Sequence, residues 1–185
     1  LAFEADEGRA VRARKLDEVL DVYAGLMGGQ PFSYTGEYFS ASPVTELVPP
    51  PPVQTPHPPV WCVGLMVPGR SRQRSLERAA RWQGVFPAIA GGSLENPGSQ
   101  LTPPALRELV ERLGALRAEA GRTRQGYDAV VEGDRHGEFG TVHAPVEQWA
   151  DAGATSWVES WWDLPDSPEG RAELRRRLEL GPPRT

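Results

Sequence analysis

Residues 60–89, VWCVGLMVPGRSRQRSLERAARWQGVFPAI, decide the class of fold. Val60 to Gly64 is a continuous apolar run of the length and composition of a buried strand. Arg74 to Trp82 turns helical, with Leu76, Ala79, Ala80 and Trp82 available for packing, and Gly84 to Ile89 is apolar again. The unit is strand, helix, strand. Between two buried strands so spaced, a helical crossover makes the strands parallel neighbours.

The same order continues toward the C-terminus. Thr102 is a natural N-cap with Pro103 at the first helical position, and Leu106, Leu109, Val110, Leu113 and Leu116 repeat at helical period up to Gly121. Tyr127 to Glu132 (YDAVVE) reads as a third strand, Ala144 to Ala152 as a short helix, and Ala154 to Ser160 (ATSWVES) as a fourth strand. Gly170 to Leu180 closes as an Arg-rich helix before Gly181-Pro182-Pro183. Strands alternating with helices place the chain in the α/β class. Four βα units fit an open doubly wound sheet or part of a barrel, and no GxGxxG follows any strand, so periodicity leaves both open.

Upstream the pattern differs. Arg9 to Met27 carries one apolar face and ends at Gly28-Gly29, a pair suited to the left-handed position after a helix. Gln30 to Ser40 (QPFSYTGEYFS) alternates aromatic and polar residues around Thr35-Gly36, the pattern of a short ribbon. Pro49 to Pro59 holds seven prolines, too many missing N–H donors for a helix or central strand, so it reads as an extended, rigid connector. Two regions follow: 1–59, a helix plus connector, and 60–185, the βα units.

Composition narrows the function classes. The 185 residues carry 20 basic and 25 acidic side chains, a formal charge of −5, which argues against a nucleic-acid-coating protein. The terminal helix has Arg171, Arg175, Arg176 and Arg177, but Glu169, Glu173 and Glu179 interleave with them as in an ordinary ion-paired helix. Cys62 is the lone cysteine, which excludes an internal disulfide and fits a reducing, cytoplasmic setting. No apolar run reaches the ~18 residues of a membrane span. Metal-ligand spacing of Cys and His is lacking too.

The segments RARKLDEVLDVYAGLMGGQPFSYTGEYF, PPPPVQTPHPPVWCVG, RAARWQGVFP, ADAGATSWVES and the terminal GPPR, in this order, resemble the C-terminal half of luciferase-like flavin-dependent monooxygenases and oxidoreductases. The resemblance implies a (β/α)8 barrel of which this chain supplies about the last four βα units, with 30–59 as the family's insertion. A barrel of this type needs about 250 residues. The chain, which opens at Leu1 rather than Met, is therefore expected to be a half-barrel completed by a missing N-terminal half or by a homodimer partner. The resemblance further implies a cofactor, FMN or the deazaflavin coenzyme F-420, and a small-molecule substrate.

Chemistry in such barrels gathers at the C-terminal ends of the strands. Carried over by position, Val63, Gly64 and Leu65 line the cofactor, while Arg70, Arg74 and Ser75 face its phosphate at the start of a helix. Arg70, Arg72, Arg74 and Arg78 suit a plain solvated helix start equally well. The family's Asp-Gly turn after the aromatic is Gln83-Gly84 here. Catalytic residues are weakly signalled. Glu159, beside Trp157, Trp161 and Trp162, is the better candidate for a general acid or base, and His57, His136 and His143 read as connector or surface residues. The competing expectation is a non-catalytic half-barrel that pairs with a partner through its open edges.

Overall fold

The computed structural model describes residues 5–43, 50, 52–91, 101–133, 144–160 and 164–181. His136, His143, Trp161 and Trp162 lie outside the described residues. The chain divides into two compact units, Leu1–Pro59 and Val60–Thr185.

In the first unit α1 (Gly8–Met27) precedes a small antiparallel ribbon of β1 (Tyr34–Thr35) and β2 (Ser40–Ala41). Past the helix end it is Gly29 that takes the positive φ, +110°. The Glu18 carboxylate of α1 accepts backbone N–H bonds from Glu37 at 2.7 Å and Phe39 at 2.9 Å, which pins the ribbon's turn to the helix. His57 is buried in this unit, its ring edge-on to Tyr23 at 5.8 Å and its Nδ1 2.8 Å from the Pro58 carbonyl.

The second unit is a four-stranded, all-parallel sheet in chain order: β3 (Trp61–Met66), β4 (Gly84–Ile89), β5 (Asp128–Gly133) and β6 (Ser156–Glu159). Helices α2 (Arg74–Arg81), α3 (Pro103–Glu119) and α4 (Val146–Asp151) make the crossovers, and α5 (Pro168–Leu180) follows the last strand. The caps come from the sequence: the Thr102 and Ser167 hydroxyls accept from Ala105 N and Gly170 N, each ahead of a proline at the first turn. The α/β class and parallel order thus stand as expected.

One expectation fails. The continuous apolar run from Val60 to Gly64 predicts a buried strand, yet β3 alternates exposed and buried along its whole length. Cys62, Gly64 and Met66 of β3, Val85 and Ile89 of β4 and Ala129 and Val131 of β5 share one buried face in register. The core there is completed by Leu76, Leu106, Leu109, Leu113 and Trp149 from the helices, each under 2% exposed. The other face carries Trp61, Val63 and Leu65 of edge strand β3, which are 47, 61 and 37% exposed, while Val130 of β5 on the same face is fully buried. Side chains along a strand point alternately to opposite faces, so helices stacked on one face leave the odd-numbered apolar residues of β3 in water.

Candidate functional site

Parity along the strands sorts the candidate residues. Val63 and Leu65 share the open face with Phe86 and Ala88 of β4, their register partners. Gly64 does not. A Cβ at Gly64 would lie 2.5 Å from Val85 Cγ2 and 3.0 Å from Leu76 Cδ2, so this glycine is where α2 closes onto the sheet. What the structure shows at Gly64 is a packing constraint on its α2 side.

Ser75 is engaged with the backbone of β3. Its hydroxyl donates to the Leu65 carbonyl at 3.1 Å and accepts from the Leu65 N–H at 3.2 Å, clasping α2 to the end of β3. The loop between them is largely self-satisfied. Val67-Pro68-Gly69-Arg70 closes a turn with Arg70 N donating to Val67 O at 3.1 Å and Gly69 at φ +74°, as a type II turn requires. The buried Gln73 side chain accepts from Val67 N at 2.6 Å and donates to the Val67 and Arg70 carbonyls. Arg112 of α3 donates to the Arg70 carbonyl at 2.9 Å and to the Ser71 carbonyl. What this loop offers a ligand is therefore the exposed guanidiniums of Arg70 and Arg74 rather than a cradle of open amides.

The Gln83-Gly84 turn has a physical account at each residue. Gln83 Oε1 accepts from Val60 N at 3.1 Å, tying down the start of β3 with a neutral side chain. Gly84 leaves room for Trp61, whose ring would lie 2.5 Å from a Cβ there, to cross β4 and donate its indole N–H to Asp128 Oδ2 at 2.9 Å.

At the C-terminal ends of β5 and β6 the carboxylates divide between the faces. Glu159 pairs in register with Gly133 and shares its side of β6 with Trp157, which donates to Glu159 Oε2 at 2.8 Å and packs 6.4 Å from Trp149 of α4. That is the helix-covered face. Glu132, paired with Val158, lies on the open face, where it accepts a 2.5 Å hydrogen bond from the Ser160 hydroxyl. The sequence places Glu132 and Ser160 at the C-terminal ends of their strands but assigns neither a role. The signal was available in YDAVVE, where counting by twos from Asp128 puts Glu132 on the face of Trp61 once Gly84 is set opposite both. The second face thus presents apolar Val63, Leu65 and Phe86 beside the buried Val130, and a carboxylate–hydroxyl pair at the ends of β5 and β6; the exposed Arg70 and Arg74 stand beyond the C-terminal end of β3, in the loop and at the start of α2.

Elsewhere, the arginines of α5 are ion-paired as their spacing suggests: Arg176 and Arg177 both reach Glu173, at 2.7 and 2.6 Å. No helix of the described residues is long and apolar enough to cross a membrane, and no group of three or more potential metal ligands occurs among them.

No protein-family model matches the chain. It is similar to uncharacterized proteins of Mycobacterium bovis and of two strains of Mycobacterium tuberculosis, each 31% identical over 114 residues. The matched stretch is 62% of this chain and 32% of each relative, so the chain spans about a third of the length of the curated relatives it matches.

Proposed function

We propose that the sheet is one half of a (β/α)8 barrel, and that the intact protein is an FMN- or deazaflavin-dependent oxidoreductase of the luciferase-like type. The observation that carries the barrel is one-sided cover. A doubly wound sheet carries helices on both faces and reverses its strand order, whereas here four strands run in chain order with the crossover helices' side chains packed on one face. The open face is then the barrel's inner wall, awaiting the remaining strands.

The residues at the C-terminal edge fit a flat, anionic cofactor in part. Val63 and Leu65 offer an apolar floor for a ring system, and Arg70 and Arg74 supply positive charge for its phosphate; Gly64 and Ser75 are spent on packing and do not join them. Bound there, the cofactor would supply hydride transfer, and FMN also reaction with O2. The chain's own part is to bind, orient and exclude water, with Glu132 and Ser160 holding a proton at the edge of the same face. Glu132 replaces Glu159 as the carboxylate facing the reaction space.

Titration of the intact protein with FMN and with coenzyme F-420, followed by cofactor absorbance and fluorescence, tests this. Saturable binding of one of them, weakened about tenfold or more in an Arg70→Gln/Arg74→Gln variant, is expected from two lost charge-assisted contacts. Saturable binding of neither removes the enzyme reading. A second reading then gains ground: the exposed apolar row on edge strand β3 also suits a non-catalytic module that pairs with a partner chain.

A further inference from the structure

At the opposite end of the sheet, beside the N-terminal ends of β5 and β6, lies a cleft of about 310 Å³ that the proposed oxidoreductase does not use. Its walls are apolar where α3 and the sheet meet, at Val110, Leu113 and Ala129. Its charge comes from Arg117 and Arg124, and no carboxylate lines it.

Arg117 is buried without a counter-ion among the described residues. Its Nη1 donates to the Ala80 and Trp82 carbonyls at 2.8 and 3.0 Å, and its Nε and Nη2 donate to the Thr123 carbonyl at 2.9 and 2.7 Å. Its Cζ lies over the Tyr127 ring, 4.3 Å from the centroid. Four of the five N–H groups are thereby used, all on neutral acceptors, so the charge itself is left uncompensated and burial pushes the pKa of the group down. Arg124 has no ion-pair partner among the described residues either. It is held over the cleft by an unusual concession: Gly114 sits in the interior of α3, and a Cβ there would lie 2.9 Å from Arg124 Cδ. Glycine weakens a helix interior, and here its bareness lets the arginine stem cross the helix.

We propose that this cleft binds a small organic anion, a carboxylate or phosphate monoester with a compact apolar body, its charge held by Arg124 and Arg117 and its body against Val110 and Leu113. The site stands apart from the cofactor face and does not depend on it.

Isothermal titration of the chain with benzoate, phenyl phosphate, inorganic phosphate and neutral phenol at constant ionic strength provides the test. Benzoate or phenyl phosphate is expected to bind saturably and phenol not at all. The benzoate and phenyl phosphate arms decide between carboxylate and phosphate. Arg124→Gln should weaken binding about tenfold or more through loss of a charge-assisted hydrogen bond. Gly114→Ala should do likewise by displacing Arg124, while leaving the melting temperature at or above that of the parent because alanine is the better helix former. Arg117 is left intact because its removal would unfold the site. Binding of none of the anions, equal affinity for phenol, or unchanged affinity in both variants overturns the proposal.

Discussion

Gly64→Ala separates the two roles this glycine could have. The added Cβ would meet Val85 Cγ2 at 2.5 Å and Leu76 Cδ2 at 3.0 Å, against the roughly 3.5–4.0 Å of relaxed carbon contacts. Val85 and Leu76 are both 0% exposed, so neither can swing into solvent to make room. Relief requires α2 to move off the sheet by about 1 Å, and forced overpacking of this kind costs about 1–3 kcal/mol. The gain from restricting the unfolded glycine, about 0.4–1 kcal/mol, offsets part of that. With both neighbours fully buried the overpacking cost lies in the upper part of that range, about 2–3 kcal/mol, so the net loss is about 1–2.5 kcal/mol, or a fall of roughly 2–10 °C in melting temperature at ~2–4 °C per kcal/mol for a chain of this size. Val63→Ala is the control one residue away. Its side chain is 61% exposed on the open face, so its loss costs under about 0.5 kcal/mol. Thermal melts of the two variants by circular dichroism check the contrast. A Gly64→Ala protein as stable as the parent, or a Val63→Ala protein less stable than Gly64→Ala, would refute the assignment of faces on which the site rests.

Arg117→Met removes four hydrogen bonds and orphans the carbonyls of Ala80, Trp82 and Thr123, so urea unfolding should register a loss of about 3–5 kcal/mol. Arg117→Lys should recover only part of it, because an ammonium cannot span the same fork of acceptors. Thr102→Ala removes the cap of α3 and should cost about 1 kcal/mol in the same assay. Glu173 is held at a pKa of about 2, below the ordinary 4.5, by its hydrogen bonds to Arg176 and then Arg177. A folded-state pKa below the unfolded one means that its contribution is full above about pH 4.5 and is lost as pH falls toward 2. Carboxyl NMR titration should place the midpoint well below 4, and Glu173→Gln should flatten the stability of α5 over that window.

The sequence makes the elements of the second unit plain because local signals agree there. Thr102-Pro103 starts α3, the apolar run VWCVG makes β3, and GVFPAI makes β4, each within a residue or two of the observed bounds. The faces were not plain. A run such as VWCVGLM is apolar at every position, so it holds no record of which residues the helices cover; only pairing with β4, through Gly84 opposite Trp61 and Asp128, reveals it. The same ambiguity hides that Gly64 packs under α2 and that Glu159 and Glu132 point to opposite faces. Ser75 and Gln73 were obscure for a different reason. Their side chains satisfy backbone groups up to ten residues away, and such hydrogen bonds leave no periodic trace. The Arg117 cluster is equally nonlocal, joining α3 to carbonyls 35 and 37 residues earlier.

The central claim is that the uncovered sheet face is a barrel's inner wall with a cofactor resting on it. A crystal structure of the intact protein with FMN or coenzyme F-420 measures this directly. The account predicts further parallel strands flanking β3 and β6, the ring system against Val63 and Leu65, and the phosphate beside Arg70 and Arg74. A helix packed across Trp61, Val63 and Leu65, or a cofactor lodged elsewhere, would contradict it.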